Sequence, residues 1–181
     1  IVNAILKGGL EKIREAGALL MGGHTTDGRE LAYGLCVIGT VSPQELIRNN
    51  TAQVGDCLVL TKQLGCALVA STFAQGLGFV DETTANLAIR SMCLLNKYAA
   101  IGMKSAQVNA CTDITGFGFL GHLSELLQGS NVGAVVESQE GMYILGATNL
   151  IEAGLASSAK NRNKDYVLSL CTVECSTVKA S

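Results

Sequence analysis

Tryptophan is absent from this 181-residue chain, aromatic residues make up only 4%, and proline occurs once, at Pro43. So few aromatic rings argue against the stacking platforms on which many proteins bind single-stranded nucleic acid. The formal net charge of −2 leaves no basic surface for a phosphate backbone either. Nucleic acid is therefore not an expected partner. The 48% of hydrophobic and 15% of charged residues instead indicate a folded globular protein.

Long apolar runs and closely paired cysteines are lacking as well. The apolar stretch 31–41 is shorter than the ~20 residues that a membrane-spanning helix needs. The seven cysteines include no CxxC pair, and Cys171 with Cys175 has no second ligand pair suited to zinc. The pattern favours small buried thiols in a reducing compartment. We therefore expect a cytoplasmic protein without a membrane partner.

Glycine is abundant, at 21 residues, and favours tight turns and the close backbone approaches in which phosphates are bound. Apolar periodicity predicts helices at 2–16, at 65–75, from Asp81 or Thr83 to about Met103, after Gly118 and, weakly, at 143–153. Short apolar strands are predicted at 19–21, 33–41, 57–61, 108–111 and 132–137. This alternation of strands with helices predicts an α/β fold, built of α+β layers.

Two domains are expected, 1–50 and 51–167, because a polar run near 49–55 interrupts the apolar pattern. The first domain holds the predicted strands 19–21 and 33–41, whose unpaired edges favour association with another chain. The chain also begins inside a predicted helix and without Met, so we expect it to be a piece of a longer protein.

Two further stretches complete the predicted organisation. Ser42, Pro43 and Glu45 have the spacing of a capping box, which predicts a short helix. Towards the other end of the chain the apolar period fades: 160–165 is a charged, solvated run, and 168–181 is an atypical tail. No regular element is predicted for these last two segments.

The strongest candidate site is the run 112–118, which places a carboxylate and two hydroxyls after a predicted strand and before a glycine turn into a helix. A helix N-terminus offers free N–H groups and a positive dipole end to phosphate oxygens. Asp113 can then hold a Mg²⁺ ion that bridges those phosphates, since Mg²⁺ commonly takes one or two carboxylates plus substrate oxygens. The alternative is that Asp113 only caps the helix, and spacing alone leaves both interpretations open.

A second candidate is the turn Gly22-Gly23-His24-Thr25, in which the glycines would pass close to a nucleotide while His24 and Thr25 donate hydrogen bonds. An ordinary turn is the simpler interpretation of the same residues. Lys62 follows another predicted strand and either contacts phosphate or is solvated, and no Walker motif surrounds it. His122, on the helix after Asp113, is interpreted as a surface or packing residue.

Three runs are most telling when they are taken together: GGHT at 22–25, GDCLVLTKQLG at 55–65 and ACTDITGFGFLGHL at 110–123. They resemble the selenophosphate synthetases (selenide, water dikinases), which belong to the superfamily of aminoimidazole ribonucleotide synthetase. The resemblance extends over about 1–166. It implies the end of an N-terminal sheet domain that dimerises, followed by most of a C-terminal α/β domain of the aminoimidazole ribonucleotide synthetase-like fold.

This resemblance also implies an activity. The family makes selenophosphate from selenide, ATP and water, and releases AMP and phosphate. ATP and Mg²⁺ are the implied cofactors, with Asp113 as a metal ligand and Gly23, His24 and Thr25 as a nucleotide-contacting stretch supplied across a homodimer. Phosphoryl transfer in such a site depends mainly on positioning and charge neutralisation.

No catalytic residue is assigned within this chain. By the resemblance, the catalytic Cys (or selenocysteine), the catalytic Lys and the other metal-binding aspartates belong to a segment upstream of Ile1, so none of the seven cysteines takes that role. We therefore expect the chain to be inactive alone. Two alternatives stay open: a non-catalytic dimerising or regulatory subunit, and a purine- or thiamine-pathway ATP-dependent enzyme of the same fold.

Overall fold

The computed structural model describes residues 1–157, 159–170 and 172. Within that part of the chain the regular elements are helical. They are α1 (Val2–Ala16), α2 (Cys66–Ala74), α3 (Glu82–Cys93), α4 (Lys97–Ser105), α5 (Gly118–Ser130), α6 (Ala147–Glu152) and α7 (Lys160–Leu170), with two 3-10 turns at Pro43–Glu45 and Glu140–Met142. None of these described helices is long and apolar enough to cross a membrane.

Several helix ends lie where local sequence predicts them. α1 ends at Gly17, whose φ of 77° is left-handed and whose N–H points to the carbonyls of Arg14 and Ile13. At the start of α3, the Asp81 carboxylate accepts a 2.7 Å hydrogen bond from the Thr84 N–H. That backbone hydrogen bond holds the pKa of Asp81 below its usual value. The predicted helices 2–16 and 65–75 are confirmed as α1 and α2.

The single helix predicted from Asp81 to about Met103 is instead two helices, α3 and α4. The backbone becomes extended at Leu94, with φ −72° and ψ 122°. Lys62 donates a side-chain hydrogen bond to the Leu94 carbonyl. The side chain of this lysine is therefore engaged within the chain, and the bond it donates satisfies a carbonyl at the end of α3.

The segments predicted as strands do not form a sheet, and those predictions are wrong. Among the described residues, strand-type pairing is limited to an isolated parallel bridge between Leu64 and Tyr143, with none at 19–21, 33–41, 57–61, 108–111 or 132–137. Many side chains there are almost fully exposed, including Met21 at 89% and Ile38 at 91%. A strand needs a ladder of backbone hydrogen bonds to a neighbour about 4.8 Å away, and within the described residues none of these segments forms such a ladder.

The prediction of a capping box at Ser42 is also wrong. Pro43–Glu45 forms one 3-10 turn, and the Ser42 side chain does not cap it. The Ser42 hydroxyl donates instead to the side-chain oxygen of Gln44, at 2.6 Å. Local hydrogen bonding by the serine therefore replaces the predicted cap.

A small core lies where α2, α3 and α6 meet. Its buried side chains are Val69, Ala88, Ile144, Ala147 and Leu150. Two of the five are alanines, so the helix backbones can approach one another closely.

Gly65 makes the closest of these approaches possible. The Leu64 N–H donates to the Met142 carbonyl and the Ile144 N–H donates to the Leu64 carbonyl, both at 2.8 Å. This pairing holds the start of α2 against the segment before α6. Gly65 follows with φ 99°, and a Cβ built on it would lie 2.6 Å from the Cβ of Ala147. Only glycine fits both the backbone angle and the space.

α7 forms where no regular element was predicted. The charged run 160–165 makes its first turns, and α7 packs against α5 with Val167 buried. The sequence of α7 contains so few apolar residues that it shows no hydrophobic periodicity. Tertiary packing nevertheless stabilises the helix. Of the tail 168–181, the structure describes 168–170, which end α7, and residue 172. Cys171, Cys175 and the rest of the predicted tail lie outside the described residues.

Candidate functional site

A groove of about 580 Å³ lies at the start of the run that carries Asp113. Its lining consists of residues 46–50, Met103 and residues 111–113. Ligand pockets commonly measure about 300–1,000 Å³. The groove therefore has room for a ligand the size of a nucleotide, and it places Asp113 and Arg48 on its walls.

Hydrogen bonds between segments far apart in the sequence build this groove. The Cys111 N–H donates to the Arg48 carbonyl at 2.9 Å. The Thr51 hydroxyl donates to the Asn109 carbonyl at 2.6 Å. These two bonds hold residues 48–51 along the residues that lead into Asp113.

Asp113 does not cap α5. The helix begins at Gly118, and its N-cap residue is Phe117, without a side-chain cap. The interpretation of Asp113 as a helix cap is therefore wrong. Its side chain is exposed and has no hydrogen-bond or ion-pair partner among the described residues. A free carboxylate thus faces the groove, available to a ligand.

A chain of polar contacts stabilises the loop between Asp113 and α5. Thr115 Oγ1 lies 3.1 Å from His122 Nε2, and His122 Nδ1 lies 3.9 Å from Glu125 Oε2. The Tyr166 hydroxyl of α7 donates to Glu125. His122 is 6% exposed. His122 is therefore a packing residue rather than a surface residue, and it links the loop to α5.

α7 contacts the same loop through Asn163 and Tyr166. Asn163 Nδ2 donates to the Gly116 carbonyl at 2.9 Å. The Tyr166 ring stacks on Phe117 with ring centroids 4.7 Å apart. A Cβ on Gly121 would lie 2.7 Å from the Cβ of Phe117, so α5 needs glycine there. Two helices therefore set the path of the loop that follows Asp113.

The Tyr166–Glu125 hydrogen bond predicts a loss of stability at alkaline pH. The hydrogen bond is the main cause of a raised pKa of Tyr166, because ionisation would place a phenolate beside a carboxylate. Burial of the hydroxyl is the second cause and raises the pKa further. A raised pKa in the folded state means that this stabilisation is complete below about pH 10, the ordinary tyrosine pKa. It is lost as pH rises through the folded-state pKa.

We expect Tyr166→Phe to be less stable than the wild type at pH 8 and to lose less stability between pH 9 and 11. Urea unfolding followed by circular dichroism over this range measures both effects. Tyr98→Phe, at a position on α4 that is 76% exposed, is the control and should behave as the wild type. Equal pH profiles of stability for Tyr166→Phe and the wild type would show that the Tyr166–Glu125 hydrogen bond does not cause the loss at alkaline pH.

Gly23, His24 and Thr25 do not line the groove. They lie in an exposed segment without regular secondary structure, between α1 and the first 3-10 turn. Within the described chain, a Cβ on Gly23 would meet no atom within 4 Å. The structure therefore does not bring this stretch to Asp113 within one chain.

The side chains at the groove can supply part of the ligands of a metal ion. Among the residues that the structure describes, no group of three or more His, Cys, Asp or Glu side chains could hold a metal ion. Asp113 supplies one carboxylate, beside the hydroxyl of Thr112. Mg²⁺ often takes one or two carboxylates and completes its shell with phosphate oxygens and water. Asp113 fits that role, but these residues do not form a metal site by themselves.

Arg48 is the groove residue that sequence reasoning missed. It precedes the polar run near 49–55 and belongs to none of the three quoted runs. Its only local signal is a positive charge on an exposed residue, which is common on any protein surface. The contact that brings it to the site is a backbone bond from Cys111.

Comparison with known proteins identifies the family. Residues 53–164 match the family described as AIR synthase related protein, C-terminal domain. The chain is 41% identical over 167 residues to the selenide, water dikinase of Clostridioides difficile (strain 630). It is 42% identical over 176 residues to the selenide, water dikinase of Geobacter metallireducens. These alignments cover 92% and 96% of this chain but 47% and 50% of those proteins, so the chain spans about half the length of the curated relatives it matches.

These findings agree with the sequence motifs. The runs 55–65 and 110–123, with Asp113, lie inside the matched region. The match confirms both the predicted resemblance and the predicted fold class, although the strands expected of that fold are not formed among the described residues. The chain belongs to the family of AIR synthase related proteins, with that family's C-terminal domain at residues 53–164.

Proposed function

We propose that this chain forms part of an ATP-dependent enzyme that makes selenophosphate from selenide and water, releasing AMP and phosphate, for selenocysteine synthesis. The observation that carries the proposal is the run 110–123, whose free Asp113 carboxylate lines a groove of nucleotide size. Identity of about 40% to relatives named selenide, water dikinase supports it. No such observation favours a purine- or thiamine-pathway substrate.

In the proposed site, Asp113 holds a Mg²⁺ ion through its carboxylate. When bound, Mg²⁺ neutralises charge on the phosphate oxygens during transfer. The chain's own contribution is to place that carboxylate. His122 and Asn163 anchor the following loop through Thr115 and Gly116. A carboxylate positioned in advance needs little reorganisation when the nucleotide reacts.

Gly23, His24 and Thr25 contact the nucleotide in the site of a partner subunit within a homodimer. Their exposure, away from the groove of their own chain, supports this arrangement. So do the exposed apolar side chains at 33–41, which a partner would cover. Size-exclusion chromatography with light scattering should show self-association, and a clean monomer at every concentration would contradict it.

We assign the enzyme to the cytoplasm. The described part of the chain contains free thiols at Cys36, Cys57, Cys66, Cys93 and Cys111, and the first, second and fourth of these are exposed. Exposed thiols without disulfide partners are suited to a reducing compartment.

Alone, the chain should not complete the reaction. Asp113 is a single carboxylate, and the described residues hold no cluster of three metal-ligating groups. A site with several Mg²⁺ ions needs more anionic ligands than that. The same observation, together with the exposed apolar segments, favours one other candidate: a non-catalytic subunit that binds and regulates a complete dikinase.

A chimera tests the proposed activity. This chain replaces the stretch that it matches in the Clostridioides difficile selenide, water dikinase. AMP release is measured with ATP, selenide and Mg²⁺. Selenide-dependent AMP release by the chimera, and none by the chain alone, supports the proposal. A folded chimera that releases no AMP contradicts it, and a chain that binds the complete dikinase and changes its rate supports the regulatory candidate.

A further inference from the structure

One cationic side chain in the groove is left without a partner. Of the groove residues that the structure describes, Arg48 alone carries a positive charge. Its guanidinium forms no ion pair or hydrogen bond with any described residue, although Asp113 shares the groove. We propose that Arg48 binds the phosphate oxygens of a nucleoside polyphosphate whose Mg²⁺ is held by Asp113. This inference rests on the proposed function and adds a residue to its site.

The backbone of Arg48 is held in place. Its carbonyl accepts the 2.9 Å hydrogen bond from the Cys111 N–H. A short distance further along the chain, the Ala52 N–H donates to the Ser130 hydroxyl at the end of α5, also at 2.9 Å. The hydrogen bond from Thr51 to Asn109 fixes the same segment. Arg48 therefore extends from an anchored segment rather than from a free linker.

A close packing contact supports the same placement. Gly129, near the end of α5, lies so close to Asn50 that a Cβ on it would be 2.8 Å from the Asn50 Cβ and 3.4 Å from the Asn50 Cα. Any larger residue at 129 would displace the segment that carries Arg48. The approach of this segment to α5 thus depends on the absence of a side chain.

The cation next to the groove is already engaged. Lys104 follows the groove residue Met103 and pairs with Glu45 at 3.5 Å. Arg48 is therefore the cation that remains for an anionic ligand in the groove.

The chemistry of the two unpaired charges specifies the ligand class. A guanidinium presents a planar fork of N–H donors that matches phosphate oxygens, and such charge-assisted bonds are stronger than neutral ones. A carboxylate prefers the metal ion that accompanies the phosphates. Asn49 and Asn50 add amide groups to the same wall. A metal–polyphosphate unit satisfies both charges at once, whereas a simple anion or a simple cation satisfies one.

Titration with inorganic tripolyphosphate and Mg²⁺ tests the inference on the chain itself. Amide NMR shifts are followed in the wild type, in Arg48→Ala and Arg48→Lys, and in Arg90→Ala, an exposed arginine of α3, as the control. The wild type and Arg90→Ala should show shifts at residues 48–50 and 111–113. Arg48→Ala should raise the dissociation constant about tenfold. Arg48→Lys should raise it less, because it keeps the charge and loses the fork.

The outcomes separate this inference from the proposed function. Asp113→Asn should lose the Mg²⁺-dependent part of binding and retain the Mg²⁺-independent part that Arg48 supplies. Unchanged tripolyphosphate affinity in both Arg48 variants would overturn the inference, as would the absence of shifts at the groove in the wild type. The proposed function is judged separately, by AMP release from the chimera. Spectra of the Arg48 variants that overlay on the wild type elsewhere exclude unfolding as the cause of lost binding.

Discussion

Replacing Gly65 with alanine is expected to lower the free energy of unfolding by about 2–5 kcal/mol. A non-glycine residue at φ 99° costs about 1–2 kcal/mol. The new Cβ would also lie 2.6 Å from the Cβ of Ala147 and 3.4 Å from Ile144 Cγ2. Ala147 is fully buried and its methyl group cannot rotate away. The start of α2 must then move away from α6, which adds about 1–3 kcal/mol of overpacking.

Urea unfolding followed by circular dichroism measures this loss, with an unchanged slope showing that stability alone has changed. Gly55→Ala is the matched control. Its φ is 96°, but a Cβ there would meet no described atom within 4 Å. This control should lose only the backbone part, about 1–2 kcal/mol. Equal losses in the two variants would show that the contact with Ala147 carries no further cost.

Asp113→Asn in the chimera should reduce the rate of AMP release by about 100-fold or more, because the metal contributes several kcal/mol of transition-state stabilisation. The amide keeps the shape of the side chain and removes the charge that binds Mg²⁺. Asp113 neither caps α5 nor pairs with a described residue. The substitution should therefore leave the fold and the unfolding free energy nearly unchanged.

Asp165→Asn, at an exposed position on α7, is the control for the loss of one negative charge. It should keep the wild-type rate. The Mg²⁺ concentration at half-maximal rate should rise in Asp113→Asn and not in the control. A normal rate and a normal Mg²⁺ dependence in Asp113→Asn would remove Asp113 from the proposed site.

Local sequence was sufficient for several helices because their ends are set by bonds within four residues. Gly17 ends α1 through its own N–H, and Asp81 begins α3 through the N–H three residues ahead. Strand predictions failed because a strand needs a ladder of backbone hydrogen bonds to a second strand, and within the described chain none of these segments forms one. The break at Leu94 was likewise not predicted, since its carbonyl is bound by a lysine 32 residues away.

By itself the sequence determined the family of this protein, the main helices and the run in which Asp113 occurs. Tertiary structure alone decided that Asp113 is free rather than a cap, that His122 anchors the loop after it, and that Arg48 shares its groove. The physical reason is distance along the chain. The bonds that build the groove join residues such as Thr51 and Asn109, 58 positions apart. Neither periodicity nor a short motif carries information over such a separation, so only the folded chain brings these groups together.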